Sequence, residues 1–398
     1  MEQDIFILDG ARTAIGTFGG ALSTFTPAEL GVIAAKSAIE RSGVAAEEID
    51  NAIAGNVIPN SPRDLYLGRV VGMESGLPTS APGLTLNRLC GSGAQAIATA
   101  ASMIRAGESR LALAVGSEVM SRAPYSLDSL RKGQKMGDAG LTDWLLGSLT
   151  DPFGCGGMGI TAENIAAKYD ISRSEQDAFA LDSQNKAVNA ISAQRFASQI
   201  VPVTVKTRKG EQTVTQDEHP RADTTLEGLS SLRPTFRKDG TVTAGNASGI
   251  NDGAAAVVLA SGAEVAARNL RPRGKLLSWA VAGVPPEIMG IGPAHAVPLA
   301  LQRAGIDIAQ LDVIESNEAF AAQAIAVNRL LGLPLEKVNP NGGAVALGHP
   351  LGATGVILTV KALHELERIG GRYGLVTMCI GGGQGIALVI ENCLANRA

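Results

Sequence analysis

Short apolar runs alternate with amphipathic stretches along most of the chain. Ile5–Leu8, Asn51–Ala54, Leu111–Val115, Val313–Ile314 and Leu375–Met378 read as strands. Between them, apolar and small residues recur at helical spacing. Thr26-Pro27-Ala28-Glu29 combines a capping box with proline at the first helical position and predicts a helix through Ile39 that stops at Gly43. Ala94, Ile97, Ala98, Ala101 and Ile104 predict a second helix after a glycine turn, ending near Gly107. Helices alternating with β-branched strands imply an α/β class with mainly parallel sheets covered by helices.

The pattern repeats. Ser37 to Asn51 aligns with Leu299 to Val313, placing Arg41 on Arg303, Gly43 on Gly305 and Asp50 on Asp312, at a constant offset of 262 positions. The same offset carries Gly93 onto Gly355, Cys90 onto Gly352 and Asn87 onto His349. One offset kept across helix, strand, glycine turn, helix and strand predicts two duplicated α/β halves. Ligand sites form outside the carboxyl ends of such strands, so equivalent turns of the two halves are expected to share a centre.

Between the halves the texture changes. Residues 121–245 hold 30 of the 72 charged residues and their own capping box, Ser172-Arg173-Ser174-Glu175. They read as an inserted loop domain lying over the core. The expected division is residues 1–120 plus 246–273 for the first half, 121–245 for the insertion and 274–398 for the second half.

Composition narrows the function. The 398 residues are 45% hydrophobic but 4% aromatic, so the core is built from Ala, Val, Ile and Leu. A net charge of −4 argues against nucleic acid or an anionic membrane as the main partner. No apolar run is long enough to span a membrane and no secretory signal pattern appears, which points to the cytoplasm. Four cysteines without a CxxC pair, Cys90, Cys155, Cys379 and Cys393, argue against a zinc site or a disulfide framework.

Cys90, in Asn87-Arg88-Leu89-Cys90-Gly91-Ser92-Gly93, falls at or just before a helix N-terminus. The helix dipole and free N–H groups there would lower a thiol pKa and favour the nucleophilic thiolate, although a buried packing cysteine fits the same window. Of the four histidines, His219, His295 and His364 read as surface residues. His349, inside Gly-His-Pro among glycines and apolar residues, is the candidate base for a thiol. Cys379 follows an apolar strand and precedes Gly381-Gly382-Gly383, which suits a second acid/base group beside backbone oxyanion donors, or a buried structural thiol. Asn317, at a strand end, could orient a water or a carbonyl or simply form a turn. Ala244 to Gly253 is a small-residue stretch that lets a ligand approach the backbone.

Seven segments in order, NRLCGSG, MSRAPY, MGITAEN, GNASGINDGAA, NEAFAAQ, NPNGGAVALGHPLGATG and CIGGGQG, resemble the thiolases across nearly the whole chain, most closely the bacterial β-ketothiolases and acetyl-CoA acyltransferases. The resemblance implies a thiolase-like fold layered α-β-α-β-α. It implies reversible Claisen condensation of acyl-CoA with acetyl-CoA, or CoA-dependent thiolysis of short- to medium-chain 3-ketoacyl-CoA, through an acyl-cysteine. Cys90 is then the nucleophile, His349 its base and Cys379 the acid/base at the α-carbon. One oxyanion hole comes from His349 and a water held by Asn317, the other from the N–H groups of Cys90 and Gly381. Coenzyme A, a substrate and not a resident cofactor, would lie along the insertion: Ser248 and Ala244 at the pantetheine, Met158, Phe236, Met289, Ala319 and Phe320 lining its channel, and Arg221 near the nucleotide.

Lys206, Arg208, Lys209, Arg233, Arg237 and Lys238 are further candidate phosphate partners. No metal is required. The family suggests a homodimer or homotetramer, with Met120 to Asp143 as the tetramer contact. Two positions depart from the pattern. Gly157 stands where many short-chain thiolases carry a histidine, which would widen the acyl tunnel, and Gly228 stands where relatives often place a serine. The alternatives are a condensing enzyme with a different acyl acceptor, such as a ketoacyl synthase, disfavoured because those pair the nucleophile with two histidines, and a catalytically silent scaffold of the same fold.

Overall fold

The structure, a computed structural model, describes residues 4–208 and 210–394. Its first helix, α1 (Pro27–Ser42), starts where the Thr26 hydroxyl takes the Glu29 N–H and the Glu29 carboxylate returns to the Thr26 N–H. It stops at Gly43, whose φ of 73° is left-handed. The main strands are β1 (Ile5–Arg12), β2 (Asn51–Gly55), β3 (Gly83–Leu86), β4 (Leu111–Val119), β5 (Asn251–Ser261), β6 (Gly274–Gly283), β7 (Leu311–Ser316), β8 (Tyr373–Ile380) and β9 (Gln384–Asn392). The further long helices are α2 (Ser92–Arg105), α3 (Met158–Lys168), α4 (Arg173–Ser192), α5 (Gly292–Ala304), α6 (Ala321–Leu331) and α7 (Thr354–Ile369).

The strands run in the order β7-β8-β9-β6-β1-β5-β4-β2-β3, with Gly16–Thr17 pairing on β5. β1 and β6 join the two halves through only three residue pairs, Ile5–Ile7 against Gly274–Leu276. The duplication is plain in this order: each half has a central antiparallel trio, β1-β5-β4 or β6-β9-β8, followed by a parallel neighbour, β2 or β7. α2 and α7 begin at Ser92 and Thr354, and β4 and β8 at Leu111 and Tyr373, at the predicted offset.

The expectation of mainly parallel sheets is corrected. Only β2–β3, β2–β4 and β7–β8 are parallel. β9 follows β8 after the turn at Gly381–Gly383, too short for a crossover, so it must return antiparallel.

Five layers result. α2 and α7 pack on each other between the two sheet halves; α1 covers β1, β5 and β4 outside one half, and α5 covers β6, β9 and β8 outside the other. α7 is buried continuously from Thr354 to Leu366. The central helices meet through glycine: a Cβ on Gly93 would lie 2.9 Å from Gly352 O and Val356 N, and one on Gly355 would strike the Ala94 backbone. The paired residues of the sequence repeat, Gly93 and Gly355, therefore cross at one point.

The 121–245 segment leans chiefly on the second half. α3 packs on α6 and Pro286–Ile291, and α4 on α6 and Ala344–Leu347. Its stretch 128–141 is almost wholly exposed, including Leu130, Met136 and Leu141. Among the described residues, no helix is long and apolar enough to cross a membrane.

Candidate active site

Three segments converge: the turn before α2, the turn between the short helix Ala344–Leu347 and α7, and the end of β8. Cys90 lies one residue before Gly91, which precedes α2. The turn is fixed by Ser92, whose Oγ accepts the Arg88 N–H at 2.9 Å and donates to Leu89 O at 2.7 Å, and by Asn87, whose Oδ1 accepts the Leu89 N–H at 2.8 Å. Leu89 is held at φ 46°, a left-handed backbone that a leucine adopts only at a cost of about 1–2 kcal/mol. The backbone N–H groups of Gly381 and of Cys90 itself favour a thiolate at the Cys90 sulfur.

The expected lowering of the Cys90 pKa is corrected. Burial pushes the thiol up to about 11, more than those two N–H groups lower it, and the Glu118 carboxylate adds to the rise. The resting group is a thiol.

His349 is buried, and burial pulls its imidazole down to about 4, so the ring is neutral at pH 7. Thr354 donates its hydroxyl proton to Pro350 O at 3.0 Å, and its oxygen lies 2.6 Å from His349 Nδ1. The hydrogen-bond network thus assigns the proton to Nδ1 and leaves the Nε2 lone pair free to take one. Asn317 Nδ2 stands 3.4 Å from Nε2, while Asn317 Oδ1 is buried without a protein partner. The His349 N–H is held by Asn251 Oδ1 at 2.9 Å.

Cys379 is the third group. It is buried near the end of β8, its thiol pKa raised by burial and then by the nearby Cys90 sulfur. It packs with Met158, Ala162, Val242, Ala247, Met289, Ala319 and Phe320 in one apolar cluster. Met158 also faces Gly381, where a Cβ would lie 3.2 Å from its sulfur. Phe236 meets Phe320 edge to face, with ring centroids 6.1 Å apart, and is 39% exposed. The layer thus runs from a buried thiol out to solvent.

Ser248 and its neighbours are sewn to that layer by backbone bonds: the Ser248 N–H donates to Ala319 O and the Ala321 N–H to Asn246 O. Ala244, four residues earlier, is exposed. Glu163 on α3 anchors this segment by accepting the Thr241 and Val242 N–H groups at 2.9 Å.

Not every expected residue joins the layer. The Arg221 side chain is exposed, and its backbone is tied to Gln184 and Thr224. Lys206 and Arg208 belong to a hairpin whose Val203, Val205 and Val214 pack into the main core with Phe196 and Ile200. Arg233, Arg237 and Lys238 are exposed, with Arg237 bonded to Asn164, and Lys209 lies outside the described residues.

Two histidines expected at the surface are not there. His364 is buried on α7, with Nδ1 3.1 Å from Ser198 Oγ, and burial with nearby arginines lowers it to about 3. His219 is half-buried against Gly249, 3.5 Å from Asn251 Nδ2. His295 is exposed as expected.

Sequence reasoning passed over Thr354, Asn251 and Asn87, the groups that orient the turns. Thr354 carried a signal, one helical turn past His349 in GHPLGATG. Asn251 carried none, because the backbone groups it holds, Gly16 O and the His349 N–H, lie far away in sequence. Among the described residues, no group of three or more His, Cys, Asp or Glu side chains is placed to hold a metal.

Comparison with known proteins agrees with this arrangement. Residues 5–263 match the thiolase N-terminal domain and residues 270–392 the thiolase C-terminal domain. The chain is 55% identical over 392 residues to Beta-ketothiolase BktB of Cupriavidus necator, covering 98% of this chain and 100% of that one. It is 49% identical over 391 residues to the Acetyl-CoA acetyltransferase of Rhizobium meliloti, covering 98% and 99%. It superposes on the crystal structure of human mitochondrial 3-ketoacyl-CoA thiolase with a TM-score of 0.96 at 46% identity, covering 98% and 100% of the two chains. On the complex of the human enzyme with CoA the TM-score is 0.95, again at 46% identity, covering 98% of each chain. With both domains matched in order across most of its length, the chain belongs to the thiolase family.

Proposed function

We propose that this thiolase catalyses the reversible condensation of acyl-CoA with acetyl-CoA, and the thiolysis of short- to medium-chain 3-ketoacyl-CoA, through an acyl group carried on Cys90. The observation that carries the assignment is the Cys90 sulfur, faced by the Gly381 and Cys90 N–H groups. In thiolysis the sulfur bonds to the 3-keto carbon, and His349 Nε2 takes the thiol proton. Because thiol and imidazole are both neutral at rest, that transfer accompanies attack and does not precede it. The two N–H groups receive the oxyanion of the tetrahedral intermediate.

Scission of the carbon–carbon bond leaves an enolate of acetyl-CoA. Cys379 protonates its carbon, while His349, now carrying a proton on Nε2, and a water accepted by the unpartnered Asn317 Oδ1 stabilise its oxygen. The thiol of the incoming CoA then gives its proton to Cys379 and takes the acyl group from Cys90, whose sulfur recovers the proton from His349; condensation reverses these steps. Two oxyanion positions suit Claisen chemistry, which must stabilise an enolate and a tetrahedral adduct in turn.

Coenzyme A lies along Met158, Met289, Ala319, Phe320 and Phe236, with its pantetheine at Ser248 and Ala244. Arg221 is assigned to the nucleotide end from the family likeness alone. On this reading residues 121–245 cover CoA, while 1–120 with 246–273 and 274–398 are the two halves that supply the turns. The protein works without a metal or resident cofactor, in the cytoplasm, as a homodimer or homotetramer, and has neither nucleic acid nor membrane as a partner.

The test follows loss of 3-ketohexanoyl-CoA and acetoacetyl-CoA absorbance with free CoA. Wild type is expected to be active and Cys90→Ala inactive; no thiolysis by wild type overturns the reading. Cys379→Ala is expected to form an acetyl adduct on Cys90 with acetyl-CoA yet fail in condensation. Absence of that adduct by intact mass contradicts the division of roles.

A further inference from the structure

Glu118, the penultimate residue of β4, is fully buried, and among the described residues its carboxylate is in no ion pair. Four N–H donors converge on it instead. Oε2 accepts the Val57 and Gly352 N–H groups, each at 2.9 Å, and Oε1 accepts the Ile58 N–H at 3.1 Å and Asn56 Nδ2 at 3.0 Å. Four donors use all the acceptor sites of a carboxylate. A neutral residue of the same shape could not receive them all.

One donor, Gly352, belongs to the turn that carries His349, and the other three belong to the loop Asn56–Ile58 that follows β2. From Val57 the path continues to the nucleophile: Val57 O accepts Asn87 Nδ2 at 3.1 Å, and Asn87 Oδ1 accepts the N–H of Leu89, the residue before Cys90. From Gly352 it continues to the base, since Gly352 lies in the loop between His349 and Thr354, which holds the His349 ring. Gly352 must be glycine here: a Cβ would lie 2.7 Å from Glu118 Oε2 and 3.0 Å from the Asn56 backbone.

We propose that Glu118 is a positioning residue that sets the distance between Cys90 and His349, by gripping with one carboxylate both the base turn at Gly352 and the Asn56–Ile58 loop on which the nucleophile turn is hung through Asn87. The inference rests on Cys90 as nucleophile and His349 as its base. It accounts for an isolated buried carboxylate, which is costly to keep unless its hydrogen bonds hold something in place. Burial raises the Glu118 carboxyl to about 7 although the N–H donors offset part of that rise, and whatever charge it carries opposes ionisation of Cys90, so its contribution is geometric and not thiolate stabilisation.

The test is a double-mutant cycle read at saturating acetyl-CoA, as the first-order rate at which the acetyl adduct forms on Cys90, followed by quenched flow and intact mass. Glu118→Gln puts an NH2 group where two N–H donors converge. Against an otherwise wild-type chain it is expected to slow acylation about tenfold or more, with little change in the KM for acetyl-CoA. Against His349→Ala it is expected to slow the residual rate less than about twofold, because no base is left to misplace. An equal loss in both backgrounds, or no loss in the first, overturns the proposal.

Should His349→Ala itself leave acylation unchanged, it is the assignment of the base that fails, and the two failures are told apart. If Glu118→Gln does not fold, Asn87→Ala cuts the same path at an exposed residue and is expected to give the same non-additive pattern. Additive losses in that cycle also overturn the proposal.

Discussion

The chemistry of this site depends on where single polar atoms point more than on which residues are present. Burial raises the Cys90 thiol and lowers the His349 imidazole, so neither is charged at pH 7. Alkylation of Cys90 by iodoacetamide in the free enzyme is therefore expected to keep rising from pH 7 to 9.5 without the plateau that a low-pKa thiolate shows; a plateau near pH 7 contradicts this.

At Gly157 the backbone is extended, with φ −67° and ψ 157°, and a Cβ would approach nothing closer than Leu149 O at 3.7 Å. Gly157→His is expected to fold normally. It should lower kcat/KM for 3-ketohexanoyl-CoA at least about fivefold relative to acetoacetyl-CoA, since a pocket discriminates by the volume it offers. A chain-length series of the two proteins checks it.

His364, held at about 3 against 6.5 when unfolded, binds its proton only in the unfolded chain between those values. Its contribution to stability is complete above pH 6.5 and is lost as pH falls, amounting to about 2–3 kcal/mol by pH 4.5. His364→Gln removes this slope, so the Tm of wild type relative to the variant is expected to fall by about 3 °C between pH 7 and 4.5. The arginines that press on His364 come from β1, α1 and the residue just before β6, far apart in sequence, which is why its surroundings could not be read from the sequence.

At the level of elements, the repeat made most of the fold legible. A single offset located α2 and α7, β4 and β8, and the Thr26 and Ser172 capping boxes located α1 and α4 to the residue. The paired turns at Cys90 and His349 followed from the same offset, and so did their meeting.

What stayed hidden was strand direction. Nothing in the pattern of β5 or β9 says whether a buried apolar run pairs parallel or antiparallel, and the two-sided burial of these strands hides the alternation that marks an antiparallel edge. Hidden also was the closeness of the α2–α7 crossing, where Gly93 and Gly355 leave no room for a methyl group. Gly355→Ala is expected to force these helices apart and to cost about 3 kcal/mol or more, with loss of acylation of Cys90. Gly107→Ala serves as the contrast. Its left-handed φ of 77° strains the backbone locally, but no atom lies within 4 Å of its Cβ. It should lower the Tm less and leave the acylation rate intact.

For the whole molecule, the exposed apolar residues are unevenly placed. Leu130, Met136, Leu141, Trp144 and Leu146 stand out together along residues 130–146, with Met136 91% exposed. On the proposed assembly this stretch joins dimers into tetramers, and Met136→Asp with Leu141→Asp is expected to halve the mass seen by light scattering while leaving thiolysis of acetoacetyl-CoA measurable. An unchanged mass removes the stretch from the assembly.

The place of β5 in the sheet bears on how the protein is made. β5 lies between β1 and β4 and pairs with both, yet it leaves the ribosome only after the whole 121–245 segment has been translated. Until Asn251 to Ser261 emerge, β1 and β4 each display an unpaired apolar edge, and no other strand can close the gap between them. A nascent chain stalled in the insertion thus holds β4-β2-β3 with one open edge, and a β1 whose neighbours β5 and β6 are both still to come. The first half therefore cannot close its sheet until the insertion between its strands has been made.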